Sequence, residues 1–367
     1  MIDLPGLIDV HVHLRTPGQT HKEDLSSGTR AALAGGFTRV LDMPNTTPPI
    51  TDQAILEDKA RLVRTMAHCD VGLFVGGSED NAGIVDRLAR NPDPQSHPVG
   101  LKLYLDQTHG PLFLPRMDTA IAHMRAWPGV VAVHAEDWRL AAAIAIARLY
   151  DCHLHCCHVS RKAEIELICR AKEQGARITC EVTPHHLFLT EADAHALGPL
   201  GTMKPSLGSA ADRDALWANL DVVDCVASDH APHTLEEKRG ESPPPGVPGL
   251  ETTLPLMLNA VYEGRLSLDR LVELLYEGPR RVYGLPAQPD THIEVDPDEH
   301  YVLGDAPLYT KCGWTPFSGM EVRGRLKRVV LRSKPVYVDG HVLMSDVPVR
   351  THTVNGCTHP HRSRREP

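Results

Sequence analysis

Eight short apolar runs recur along the chain, each followed by a longer segment with helical periodicity. They are GLIDVHVHL (6–14), FTRVLDMPN (37–45), DVGLFVGG (70–77), VGLKLYLD (99–106), VVAVHAED (130–137), HLHCCHVS (153–160), RITCEVTPHH (177–186) and VVDCVASDH (222–230). Most steps from one run to the next are about 23–33 residues, the length of a βα unit. Strands alternating with helices predict a parallel sheet. Eight such units predict an α/β fold, a closed (βα)8 TIM barrel, with a large open α/β sheet as the alternative. The intervening segments carry helix signals. EDLSSGTRAALAGG ends in Gly35-Gly36, SRKAEIELICRAKEQGA has Ser160 as the expected N-cap and Gly175 as the stop, and TEADAHALG pairs Thr190 with Asp193 in a capping box.

The chain has 367 residues, enough for a barrel of roughly 250 residues plus an accessory unit. Residues 1–290 are expected to form the barrel. After the Pro/Gly-rich loop RGESPPPGVPGLE (239–251) come two helix-like segments. Residues 291–346 then read as short strands, with Asp339-Gly340 as a hairpin turn, and predict a small β appendage. Residues 347–367, polar and histidine-rich, are expected to be a flexible tail or linker. A net charge of −9 with no basic stripe argues against nucleic-acid binding. No run of about 18 apolar residues predicts a membrane span. Nine scattered cysteines, several inside apolar runs, fit reduced thiols in the cytoplasm better than a disulfide framework.

Barrel enzymes work at the C-terminal ends of their strands. The first run ends in His11-Val12-His13, and residues two apart in a strand face one side. The fourth carries Lys102, the fifth His134, the sixth Cys157-His158, the seventh Glu181 and the eighth Asp229, with His233 just beyond. Taken singly, each has an ordinary explanation: a hydrogen-bonded core histidine, a helix cap, an ion pair, a small buried thiol. Together, at one end of six strands, several imidazoles and two carboxylates predict a divalent metal site, with a donor set suited to zinc. A lysine cation beside such a metal is repelled, so Lys102 would act as a neutral base, as a neutral ligand, or as a carbamate formed with CO2. Spacing alone does not choose among these.

GLIDVHVHLRTPG, MPNTTPP, GLKLYL, HAED, CHVSRK, CEVTPHHL, ASDHAPHTLEEK and PPPGVPGLET together resemble the dihydroorotases of the metal-dependent amidohydrolase superfamily, over residues 4 to 343. The resemblance implies zinc-dependent, reversible cyclisation of N-carbamoyl-L-aspartate to L-dihydroorotate in de novo pyrimidine (UMP) biosynthesis. It implies that His11, His13 and Asp229 hold one zinc, that His134 and His158 hold a second, and that carboxylated Lys102 bridges them. A third zinc would use Cys157 and Glu181. Asp229 would also be the catalytic acid and base. Arg15, Asn45 and His233 would hold the substrate carboxylate, with the backbone of Pro245 and Gly246 as a further contact. The expected partners are the small-molecule substrate, a second copy of the chain, and a larger pyrimidine-synthesis polypeptide of the kind found in animals.

Two positions depart from the animal members of the family. Lys204 stands where they have arginine, keeping the charge and losing the bidentate fork. The loop after the fourth strand offers Thr108-His109 where they pair threonine with phenylalanine. The rival readings are a related cyclic amidohydrolase (dihydropyrimidinase, hydantoinase or allantoinase) and an inactive dihydroorotase-like scaffold domain.

Overall fold

The computed structural model describes residues 1–90, 97–108, 110–343 and 346–352. His109 lies outside them. A short strand, β1 (Ile2–Pro5), precedes the eight apolar runs, and each run contains one strand. These are β2 (Leu7–Val12), β3 (Phe37–Asp42), β4 (Asp70–Gly76), β5 (Gly100–Tyr104), β6 (Val130–His134), β7 (His153–Cys156), β8 (Ile178–Val182) and β9 (Cys225–Val226). They are hydrogen-bonded in chain order and parallel throughout. The ring closes through one parallel bridge, Val12 to His230, where His13 N–H donates to His230 O at 2.9 Å. Barrel strands bury both faces, which is why they read as nearly continuous apolar runs.

Alternation along the strands decides which side chains enter the barrel. Ile8, Val10, Leu41, Phe74, Ala132, Cys225, Tyr276 and Tyr283 form one core cluster in the barrel. Leu7, Val12, Leu101, Leu103, Leu154 and Val182 belong to the larger layer between sheet and helices. By the same parity Lys102, His134, Cys157, Glu181 and Asp229 face inward. β2 breaks the pattern: its register against β3 shifts between Asp9 and Val12. That irregularity lets both Val10 and His11 face the interior.

The helix signals mostly hold. Leu25–Ala34 opens on an Asp24–Ser27 capping box and ends at Gly35, with Gly36 at φ +84°. Thr190 and Asp193 form their box. Ser160, however, is not an N-cap. The helix Lys162–Glu173 starts one residue later, and the Glu164 carboxylate accepts the backbone N–H groups of both Ser160 and Arg161.

A second, antiparallel sheet has the order β1, β10 (His292–Val302), β11 (Glu321–Leu331), β12 (Lys334–Val338), β13 (His341–Val342). The Asp339-Gly340 turn joins the last two, both residues at positive φ as such a turn needs. Two features differ from the sequence expectation. Residues 2–5, grouped there with the barrel, form an edge strand of this sheet, with Ile2 opposite Val295. Residues 351–352, assigned there to a flexible tail, form β14 (Thr351–His352) alongside Val71 and Gly72. The cause is local. β5 pairs with β4 only from Phe74 onward, leaving the start of β4 open on that edge. There the Asp70 carboxylate accepts from Arg350 N–H and the Arg332 guanidinium.

Candidate metal centre

His11, His13 and Asp229 converge at the C-terminal mouth of the barrel, with one donor atom from each lying within 4.8 Å of the others. His13 Nε2 is 3.2 Å and His11 Nε2 3.5 Å from Asp229 Oδ1. His11, Cys157 and Glu181 form a second such group. His11 Nδ1 donates to Glu181 Oε1 in a short contact, and Glu181 Oε2 accepts from His155 Nε2 at 3.0 Å. His134 Nδ1 and His158 Nε2 meet at 2.9 Å, and the His11 and His158 rings are 5.2 Å apart. The strands thus place all eight of the metal-binding residues expected from sequence around one buried volume, none more than 8% exposed.

The electrostatics suit metal binding. Burial pushes His13 down to about 3 and His158 well below the ordinary imidazole range, so both offer neutral lone pairs at pH 7. Burial would raise Asp229, but His11, His13 and His158 hold it well below the usual carboxylate range. Burial likewise opposes ionisation of Glu181, and His11 and His155 outweigh it. His158 Nδ1 has no hydrogen-bond partner, an uncommon state for a buried polar atom, and His134 Nε2 has the Glu136 carboxylate 3.5 Å away. Lys102 is fully buried; among the described residues its ammonium meets only the Cys157 thiol, at 3.1 Å, and the Tyr104 ring, at 5.1 Å. The unpartnered His158 nitrogen, among neutral imidazoles and ionised carboxylates, fits a site that holds a metal cation. Arg15, His158 and Asp229 all sit at positive φ (56°, 35° and 43°), backbone strain of the kind that persists where a site requires it.

Comparison with known proteins agrees with this geometry. The sequence model of the Amidohydrolase family matches residues 2–83. The chain is similar to the multifunctional protein CAD of Squalus acanthias, 50% identical over 347 residues, which is 94% of this chain and 15% of that one. It is 35% identical to the dihydroorotase of Pyrococcus furiosus, covering 93% of this chain and 82% of that protein. This chain belongs to the dihydroorotase family. Among solved structures, the L-hydantoinase of Arthrobacter aurescens superposes with a TM-score of 0.89 at 25% identity, over 96% of this chain and 89% of that one.

In this dihydroorotase-family chain the residues expected to hold substrate line the mouth above the metal groups. Arg15 is buried, its Nε donating to Pro232 O at 3.3 Å. His233 is held from both ring nitrogens: Nδ1 lies 3.1 Å from Lys22 Nζ, and Nε2 lies 3.2 Å from Arg15 Nη2 and 3.1 Å from Pro245 O. Asn45 also reaches one of the candidate ligands: its Oδ1 lies 2.7 Å from His13 Nδ1, while His13 Nε2 lies 3.2 Å from Asp229 Oδ1. Thr108, Lys204, Lys22 and Pro245 border an open cleft of ≈ 680 Å³. Lys204 Nζ is 2.9 Å from Glu136 Oε1, and Glu136, for which burial alone would act in the opposite direction, is held down to about 2 by His134 and Lys204. Sequence reasoning missed Glu136, Lys22, His155 and Asp9. Asp9 is buried beneath His11, and its carboxylate accepts from the N–H groups of His11 and Ser228. Glu136 and Lys22 lie inside or beside the matched motifs, so a search for charged neighbours of those motifs could have found them.

Proposed function

We propose that this chain is a zinc-dependent dihydroorotase, interconverting N-carbamoyl-L-aspartate and L-dihydroorotate in pyrimidine biosynthesis. The carrying observation is the buried ring of imidazoles around Asp229 with the Arg15 guanidinium and Lys204 at its mouth. A ligand carrying a carboxylate suits the buried Arg15 guanidinium better than a neutral dihydropyrimidine or hydantoin does. His11, His13 and Asp229 would hold one zinc and His134 and His158 another, with Lys102, as its carbamate, between them; Cys157 and Glu181 would serve a third together with His11. When bound, zinc lowers the pKa of water to about 7 and acts as a Lewis acid toward a carbonyl oxygen.

The chain's own groups supply the rest. Arg15 and Asn45 clamp the α-carboxylate and fix the ring relative to Asp229. In hydrolysis, water adds to the ring amide carbonyl and the C–N bond breaks. Asp229, ionised and buried, takes the proton from the water at its carboxylate oxygen and gives it to the leaving nitrogen. In cyclisation the same carboxyl protonates the departing hydroxyl. The test compares turnover of L-dihydroorotate with that of 5,6-dihydrouracil. Arg15→Ala is expected to cut dihydroorotate turnover by about a hundredfold or more. Faster turnover of dihydrouracil by the unmodified protein would overturn the assignment.

The same reading includes its setting. Eight described cysteines are all unpaired, which supports the cytoplasm, and no described helix is long and apolar enough to cross a membrane. The helix Asp137–Tyr150 turns Trp138 (63% exposed) and Leu149 (79% exposed) outward, with exposed Ala141 and Ala145 between them at helical spacing. That apolar stripe supports a homodimer formed through this face. The 50% identity to a multifunctional relative, of whose length the chain spans 15%, supports a role within a larger pyrimidine-synthesis polypeptide, and we read the chain as a barrel within residues 1–290, less the first strand, which joins the appendage of residues 291–346.

A further inference from the structure

Lys238 closes the four-residue helix Leu235–Lys238, directly after the His233 segment, and it is fully buried. An unpaired buried ammonium is costly. Among the described residues it has no ion pair. Instead its three N–H donors meet three carbonyls: Thr202 O at 2.7 Å, Pro244 O at 3.1 Å and Gly246 O at 3.1 Å. The Trp314 ring lies 5.6 Å away, and the Trp314 indole N–H donates to His233 O at 2.8 Å. Burial pushes the Lys238 amine down to about 8, so it still carries its proton at pH 7 and keeps all three donors.

These carbonyls belong to the two walls of the mouth. Thr202 is two residues from Lys204 and also accepts from Gly246 N–H at 3.1 Å. Pro244 and Gly246 flank Pro245, whose carbonyl oxygen lies 3.1 Å from His233 Nε2. Gly246 is at φ +137°, and a Cβ there would lie 2.6 Å from Ala231 O, so this wall runs hard against the end of the eighth barrel strand. A methionine would fill the Lys238 volume at lower desolvation cost. What the ammonium adds is a fixed distance between the walls.

We propose that Lys238 is a positioning residue for substrate binding, holding the 202–204 and 244–246 walls in register from a single buried ammonium. This rests on the dihydroorotase reading above for its kinetic consequence, though not for its structural one. Lys238→Met is expected to raise KM for L-dihydroorotate about 10- to 100-fold with kcat within about threefold of the parent. Zinc content should be unchanged, and amide exchange across residues 240–247, Gly246 N–H above all, should accelerate. Lys238→Arg, which keeps charge and several donors, should recover part of the KM. If the methionine variant does not fold, Lys238→Gln, with one amide group for three donors, gives the same readouts. A KM within twofold of the parent, or unchanged exchange at 240–247, overturns the proposal. A parent protein that binds zinc but does not turn over dihydroorotate defeats the dihydroorotase reading instead, and the exchange measurement still decides the role of Lys238.

Discussion

Asn45 is the residue for which sequence and structure point to different work, and replacing it separates the two. The sequence places it on the substrate carboxylate. In the structure it accepts from His13 Nδ1 at 2.7 Å, while His13 Nε2 faces Asp229 at 3.2 Å. Burial keeps His13 neutral at pH 7, so it has one N–H: the Asn45 Oδ1 acceptor favours placing it on Nδ1, against the Asp229 carboxylate, which favours Nε2. Asn45→Ala leaves a buried Nδ1–H without an acceptor, a penalty of about 1–3 kcal/mol. The ring escapes it by moving the proton to Nε2, where the Asp229 carboxylate accepts it, and the lone pair needed for zinc is then lost. Restoring the binding tautomer costs about 1.4–2.7 kcal/mol, a 10- to 100-fold loss of zinc affinity, the range seen when partners of metal-bound histidines are removed. Asn45→Asp keeps an acceptor at the same place. It should retain zinc affinity while raising KM, because its charge opposes the substrate carboxylate. Zinc affinity is read by competition with a chromophoric chelator, and KM by steady-state kinetics on zinc-saturated protein. If Asn45→Ala binds zinc as tightly as the parent and only KM rises, the tautomer argument is wrong and Asn45 acts on substrate alone.

Other perturbations test other layers of the structure. Lys59 Nζ lies 2.5 Å from Asp42 Oδ2 with both side chains fully buried, and Asp42 Oδ1 also accepts from Leu14 N–H beside Arg15. Lys59→Met should cost about 3–5 kcal/mol by chemical denaturation, and adding Asp42→Asn should recover most of it, since the cost is that of an orphaned charge; additive losses would refute this. Lys204→Arg restores the fork and should lower KM for dihydroorotate about three- to tenfold; an unchanged KM would mean Lys204 serves only Glu136. Burial pushes the Glu251 carboxyl up to about 7 from 4.5, against the Tyr309 and Thr310 N–H groups it accepts from. Its contribution to stability is therefore complete below pH 4.5 and lost as pH rises through 7. Thermal midpoints of the parent relative to Glu251→Gln should fall across that window, and parallel curves would refute it.

The barrel was legible because its strands are buried on both faces and so read as apolar runs, and because alternation within them assigns an inward side. The candidate metal-binding groups were legible because barrel sites gather at strand ends. What escaped has partners far off in sequence. Lys22 meets His233 at a separation of 211 residues, and Lys238 meets Thr202 at a separation of 36 across two loops with no regular period. Asp9 and Glu136 lie inside the matched motifs with no reading of their own, and only the fold sets Asp9 against the His11 and Ser228 N–H groups and Glu136 against Lys204. The strand β1, IDLP, has only four residues and no alternation, and its identity comes entirely from its partner at residues 292–295.

That pairing also sets an order in time. At about 5–20 residues per second, roughly 15–60 s separate the synthesis of Ile2 from that of Val295. Through that interval the first strand has no edge to join. The Val12–His230 bridge that closes the barrel waits almost as long. Because His11 and Asp229 come from the two sides of that seam, the candidate metal site is assembled in the last steps of folding, and a chain interrupted before the seam closes would hold its residues scattered and no complete site.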